Sequence, residues 1–280
     1  EGEIGRIREM MTLAGFPTDA VQYLITNEII LFQIPDAEEK ITRAVSAVCT
    51  DGAEFLPLME ALAQESGVCR YAVDMLILLH AAIPMRERYR DRGIADEVYR
   101  DTISDLRNKL IECKKLKGEW GTFVAWWLGD YFRLKRFALG RMQYEVVDHD
   151  GEKALNCHIP SGSPLEHEAV LASLRKAYEF FPQVRRDGVL TVVCGSWILY
   201  PPHRELFSEG SNLRRFADLF TVTQSTPDPQ NRSLWVIFYQ SFSEGCIDSL
   251  PTDTSLRRRF AEYLRAGNSM GYGKGYLRFD

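Results

Sequence analysis

The stretch "ALNCHIPSGSPLEHEAVLASLRKAYEFF", residues 154–181, joins an extended run to a segment of helical spacing through the bend "IPSGSP". From 165 to 181, Leu165, Val170, Leu171, Leu174, Tyr178 and Phe181 fall on one face of a helix. Before the bend, alternation puts Asn156 and His158 on one side of a strand and Cys157 on the other. The bend itself has two readings. Ser163, Pro164 and Glu166 match a capping box with proline at the first helical position, which makes it a helix start and no more. Alternatively, Ser161, Gly162 and Ser163 offer backbone N–H groups at the positive end of a helix dipole, a place that attracts phosphate.

Upstream of about residue 130 the period is helical throughout. The segments "DAVQYLITNEIILFQI", "AEEKITRAVSAV", "AEFLPLMEALAQES", "CRYAVDMLILLHAAI" and "ADEVYRDTISDLRNKLIECKKL" place apolar residues three and four apart. Gly15, Pro17, Pro35, Gly52, Gly67, Pro84 and Gly93 mark the breaks between them. Near residue 135 the period changes. Phe137, Leu139, Met142, Tyr144 and Val146 alternate, and "DHDG" at 148–151 is a hairpin turn before the strand that leads into the bend. After helix 165–181 come a buried strand "GVLTVVCGSWILY", a helix "SNLRRFADLF" capped by Ser211 or Asn212, and two strands "FTVTQ" and "SLWVIFYQ". A helix "TSLRRRFAEYLRAG" and a glycine-rich last strand "GYGKGYLRF" complete the order. The expected class is α+β/α/β, with a helical domain at 1–134 and a mixed β-sheet domain flanked by helices at 135–280.

Composition narrows the partners. A net charge of -5 and pI near 5.7 argue against a broad phosphate-binding face, so no nucleic-acid partner is expected, and "LRRRF" at 256–260 reads as the solvated side of a helix. The longest apolar run, "AVDMLILLHAAI" at 72–83, holds Asp74 and His80 and falls short of the roughly 20 residues of a membrane span; it reads as a buried helix, and no membrane partner is expected. Six cysteines (Cys49, Cys69, Cys113, Cys157, Cys194, Cys246) are widely spaced with no C-x-x-C pair, which points to reduced thiols and no zinc site. With no signal-peptide pattern at the start, the expectation is a cytoplasmic protein.

The order hairpin, helix, strand, helix, two strands resembles the GNAT superfamily of acyl-CoA-dependent N-acyltransferases. More closely, "LGRMQYE", "HIPSGSPL", "CGSWILYP", "LPTDTSLRRRF" and "LRAGNSMGYGKGYL" look like a group in which a helical N-acyltransferase N-terminal domain precedes a GNAT-like C-terminal domain. The resemblance implies a second domain that binds acetyl-CoA or another acyl-CoA as co-substrate, without a metal, and transfers the acyl group to a small-molecule or peptide amine. It implies that Ser161, Gly162 and Ser163 hold the CoA pyrophosphate and that backbone near Cys157 and Ile159 faces the thioester. The match departs from the superfamily loop: one glycine stands in place of two, no Arg or Gln leads it, and Pro164 removes an N–H. A catalytically degenerate GNAT fold serving as a binding or regulatory module is the alternative.

Such transfer needs a proton acceptor for the amine, a donor to the carbonyl oxygen and a proton source for the thiolate. Glu145, a charge inside an alternating strand, and His158, whose ordinary pKa lies near neutrality, are the candidate bases; the alternative for each is a surface or structural role. The superfamily's acidic tyrosine has no counterpart in "PPHRELFSEGSNLRRFADLF", so Tyr200 is the nearest substitute, with Tyr239 and Tyr272 as weaker ones. Cys194, Ser196 and Trp197 line the expected substrate pocket, core packing being the alternative.

Overall fold

The computed structural model describes residues 3–243 and 245–280. The chain divides into two compact units, Glu1–Ala138 and Leu139–Asp280.

The first unit contains helices α1 (Glu3–Ala14), α2 (Thr18–Leu31), α3 (Ala37–Cys49), α4 (Leu56–Ser66), α5 (Arg70–Asp91), α6 (Asp96–Lys117) and α7 (Ala125–Phe132). Gly67 and Gly118 close α4 and α6 in the left-handed conformation that glycine adopts without a Cβ clash. Helix α5 is the centre of the unit, and residues 72–82 are all buried, including Asp74 and His80. These two polar side chains have partners: Asp74 accepts from the Arg70 guanidinium, and His80 Nε2 lies 2.7 Å from Glu28 Oε1. Pro84 does not end this helix as its residue type suggests. Met85 and Tyr89 beyond it are fully buried, and that packing outweighs the one backbone bond a proline removes. Among the described residues no helix is long and apolar enough to cross a membrane.

The sheet has the order β1-β2-β3-β4-β6-β5; β1 (Arg136–Leu139) runs across the division of the chain, and β2 (Met142–His149), β3 (Glu152–His158), β4 (Leu190–Ser196), β5 (Thr221–Asp228) and β6 (Met270–Phe279) belong to the second unit. Its helices are α8 (His167–Phe180), α9 (Pro201–Arg204), α10 (Asn212–Asp218), α11 (Trp235–Phe238) and α12 (Ser255–Arg265). This is the expected mixed sheet flanked by helices. The β2–β3 hairpin turns at Asp150 and Gly151, both with positive φ, as a two-residue type I′ loop requires. Ser211 and Thr254 cap α10 and α12 through their side-chain oxygens.

Three local expectations change. The alternating run from Phe137 to Val146 is broken at Gly140 and Arg141 into β1 and β2. The segment "SLWVIFYQ" is no strand but a 3-10 turn followed by α11. Its buried residues Leu234, Ile237 and Phe238 follow helical spacing, and the Asp228 side chain accepts the Arg232 N–H at 2.7 Å to start the turn. Helix α8 begins at His167, with Glu166 as an N-cap that makes no side-chain cap bond, so the capping box Ser163–Glu166 is not formed. The carbonyls of Ser163 and Pro164 instead accept from Arg141, at 2.6 and 2.9 Å.

Candidate functional site

Strands β3 and β4 run parallel and pair at Leu155↔Val192, Asn156↔Val193 and Cys157↔Cys194. There their pairing stops. Strand β3 continues with β2 (Gln143↔His158), while β4 continues with β6 (Gly195↔Lys274, Ser196↔Gly273). Beyond Cys157↔Cys194 no further β3–β4 pair forms, and the place between His158–Ile159 and Gly195–Ser196, where each strand keeps only its outer partner, is called the wedge below.

Register sorts the side chains around this wedge. Paired residues share a face and successive ones alternate, so Gln143, Glu145, Asn156, His158, Gly195, Tyr272 and Lys274 lie on one face. Tyr144, Cys157, Cys194, Ser196, Gly271 and Gly273 lie on the other, where α8 packs and its Ser173 hydroxyl sits 3.1 Å from the Tyr144 hydroxyl. We call these the polar face and the helix face.

On the polar face, Glu145 stands directly opposite Asn156. His158 Nε2 is 2.7 Å from Glu145 Oε1, and the Asn156 amide donates to the same oxygen at 3.0 Å. Glu145 and His158 are 17% and 19% exposed, sheltered enough for the pair to matter and open enough to be reached. A carboxylate beside Nε2 favours the tautomer that carries its proton there, leaving the lone pair on Nδ1.

The loop 159–166 leads from the wedge to α8. Gly162 takes a φ of 93°, and Ser161, Gly162 and Ser163 sit at the bend. Arg141 clasps the loop from the β1–β2 turn and brings a cation to it. The first-turn N–H groups of α8 point out of its N-terminus, as in any helix. Beside them the buried Nδ1 of His167 has no hydrogen-bond partner among the described residues. Arg141 and His167 were not among the residues expected from sequence. Arg141 reaches the loop only through sheet topology, and His167 could have been found only by placing the helix start three residues later.

The remaining expected residues belong to the helix face. Ser196 accepts from the Ile198 N–H at 3.1 Å and starts a 3-10 turn, Trp197–Leu199. Trp197 packs edge-on to Phe207 and Phe260. Tyr200 crosses β6 at Gly271, where any Cβ would overlap its ring, and Leu199 O does the same at Gly273. Tyr200 is thus not brought together with Glu145 and His158. Beneath it His203 is fully buried; its Nδ1 lies 2.8 Å from Trp197 O, and burial lowers its pKa to about 4. The Cys194 thiol beside it, together with burial, holds the Cys157 thiol well above its usual range, so it is no thiolate nucleophile. Among the described residues no group of three or more His, Cys, Asp or Glu is placed to hold a metal ion. A recess of about 320 Å³ also opens on this side, lined by Ile198, Leu199, Ala217, Phe220 and Val222 and edged by the Arg204–Asp218 ion pair.

Taken together, a helical unit followed in the chain by a mixed sheet flanked by helices is a fold shared with solved acyltransferases. Residues 5–134 match the model of the N-acyltransferase N-terminal domain and residues 136–277 that of the GNAT-like C-terminal domain, and the chain belongs to this family. No curated protein matches it. Solved structures share the fold. The crystal structure of an acyltransferase in complex with CoA and 10C-teicoplanin superposes with a TM-score of 0.80 at 23% identity, covering 100% of this chain and 89% of that one. An acyltransferase in complex with decanoyl-CoA and teicoplanin gives 0.79 at 23% identity, covering 98% and 87%. A mutant acyltransferase in complex with octanoyl-CoA gives 0.79 at 22% identity, covering 99% and 88%.

Proposed function

We propose that this protein is an acyl-CoA-dependent N-acyltransferase, in which an amine attacks the thioester directly. The parting of β3 and β4 beside the Glu145–His158 pair carries this reading. The wedge suits a pantetheine arm, whose amides would take up the strand-edge groups of His158 and Ile159. The loop at Ser161, Gly162 and Ser163, the start of α8 and Arg141 suit the pyrophosphate.

In this reading His158 Nδ1 takes the proton of the attacking amine. Glu145, itself steadied by Asn156, holds the ring in orientation and stabilises the imidazolium. The carbon–sulfur bond then breaks, and the CoA thiolate leaves with its electron pair. A thiol pKa of about 8.5 makes it a tolerable leaving group without an enzymic acid. The decanoyl- and octanoyl-CoA bound by the structural neighbours favour a chain longer than acetyl. The recess at Ile198 and Ala217 has the size and lining for one aliphatic chain, at the small end of ligand pockets. The teicoplanin complexes of those neighbours favour an amine carried on a peptide-type acceptor. A cytoplasmic setting, where thiols stay reduced, suits the six free cysteines.

The test is release of free CoA from decanoyl-CoA against a library of amines and amine-bearing peptides. Amine-dependent release that Glu145→Gln lowers about 100-fold supports the proposal. Tight acyl-CoA binding with no release from any amine would instead make the protein a binding module.

A further inference from the structure

Tyr272 stands on the polar face with the Glu145–His158 pair, without a part in the proton transfer. Tyr272 lies on β6, one step along the same face from Lys274, the residue paired with Gly195. A Cβ built on Gly195 would overlap the Tyr272 hydroxyl, so the phenol rests directly against that glycine. Gly195 is the first β4 residue beyond the last β3–β4 pair, which puts the hydroxyl at the lip of the wedge across from His158. Among the described residues the hydroxyl has no hydrogen-bond partner. The ring is 45% exposed, but burial of its inner end, with a smaller contribution from Cys194, raises its pKa above the ordinary value.

Resting on the transferase reading, we propose that the Tyr272 hydroxyl donates a hydrogen bond to the thioester carbonyl oxygen and stabilises the oxyanion formed on it. As the amine nitrogen bonds to the carbonyl carbon, the C=O π pair moves onto oxygen and meets a donor already aimed there. The proton stays on the phenol throughout, and the raised pKa keeps it there at neutral pH. When the C–S bond breaks, the carbonyl re-forms and the donor returns to its starting state. The amine's proton goes to His158, and the thiolate takes its own from solvent. Gly195 is glycine, on this account, because any side chain would push the donor away.

The experiment measures steady-state CoA release from decanoyl-CoA by intact protein, in wild type, Tyr272→Phe, Gly195→Ala and the double variant, with 3,5-difluorotyrosine at position 272 as a fifth form. Tyr272→Phe keeps the ring and removes the donor, and kcat is expected to fall about 100-fold with KM changed less than about threefold. Gly195→Ala is expected to lose activity as well, and the double variant to be no worse than Tyr272→Phe, since both remove one interaction. A tyrosinate cannot donate, so fluorination should move the alkaline limb of the kcat profile to lower pH, which a packing role would not do. A Tyr272→Phe variant with wild-type kcat, a loss confined to KM, or an alkaline limb that stays in place would overturn the assignment while leaving the transferase reading intact. A wild type that releases no CoA with any amine would overturn both.

Discussion

The two faces of the second unit's sheet make opposite demands on the same strands. On the helix face, Tyr144, Cys157, Cys194 and Ser196 are buried, and β6 presents Gly271 and Gly273 so that Leu199 and Tyr200 can cross it at backbone distance. On the polar face the neighbouring positions are Glu145, Asn156, His158 and Tyr272, half-buried or exposed and able to exchange hydrogen bonds. On the proposed reading, a single step along β3, β4 or β6 therefore separates packing from chemistry. Residues adjacent in sequence, such as Cys157 and His158, face opposite sides of the sheet.

The sharpest way to break this division is to truncate one residue of each kind. His158→Ala is expected to lower kcat for CoA release about 1000-fold while leaving the urea midpoint nearly unchanged. A fall in stability that accounts for the activity loss would erase the distinction. On the other face, Gly273→Ala sets a methyl against the Leu199 carbonyl, which is backbone and cannot swing away. We expect a loss of about 3 kcal/mol in equilibrium unfolding, and a stable Gly273→Ala protein would show that this crossing is looser than described.

A third effect is set by pH. His203 has a folded pKa of about 4, below the unfolded value near 6.5, so the unfolded chain binds the extra proton between them. Its neutral form is stabilising in full above pH 6.5, and that contribution is lost as pH falls toward 4, by about 3 kcal/mol in total. Urea unfolding between pH 7 and 4 should show this slope, and His203→Phe should flatten it. Next in size, Ala217→Phe fills the helix-face recess and is expected to lower kcat/KM for decanoyl-CoA about tenfold while sparing acetyl-CoA. An equal loss for both donors would remove the acyl chain from that recess. Smallest of all, Cys194→Ala should change kcat by less than about twofold, because its thiol faces away from His158.

Which of these features can be read from the amino-acid sequence depends on how far apart their partners lie in the chain. The turn at Asp150–Gly151 and the caps at Ser211 and Thr254 are local, and residue type alone marks them. The sharing of a face by Asn156 and His158 follows from alternation, and the two-residue turn then sets Glu145 opposite Asn156. "SLWVIFYQ" misleads because its β-branched and aromatic content favours a strand, while the burial it satisfies at Leu234, Ile237 and Phe238 is helical. The clasp of Arg141 on Ser163 and Pro164, and the seat of Tyr272 on Gly195, join segments brought together only by the sheet order. The same holds for Tyr200, whose place on the helix face depends on where the chain crosses β6.

The wedge between β3 and β4 is tested most directly by amide hydrogen exchange of the intact protein with and without decanoyl-CoA. Bound ligand is expected to slow exchange at His158–Ser163 and at Gly195–Ser196, the two lips that lack each other as partners. Saturating ligand that leaves both segments exchanging as in the free protein would contradict that expectation.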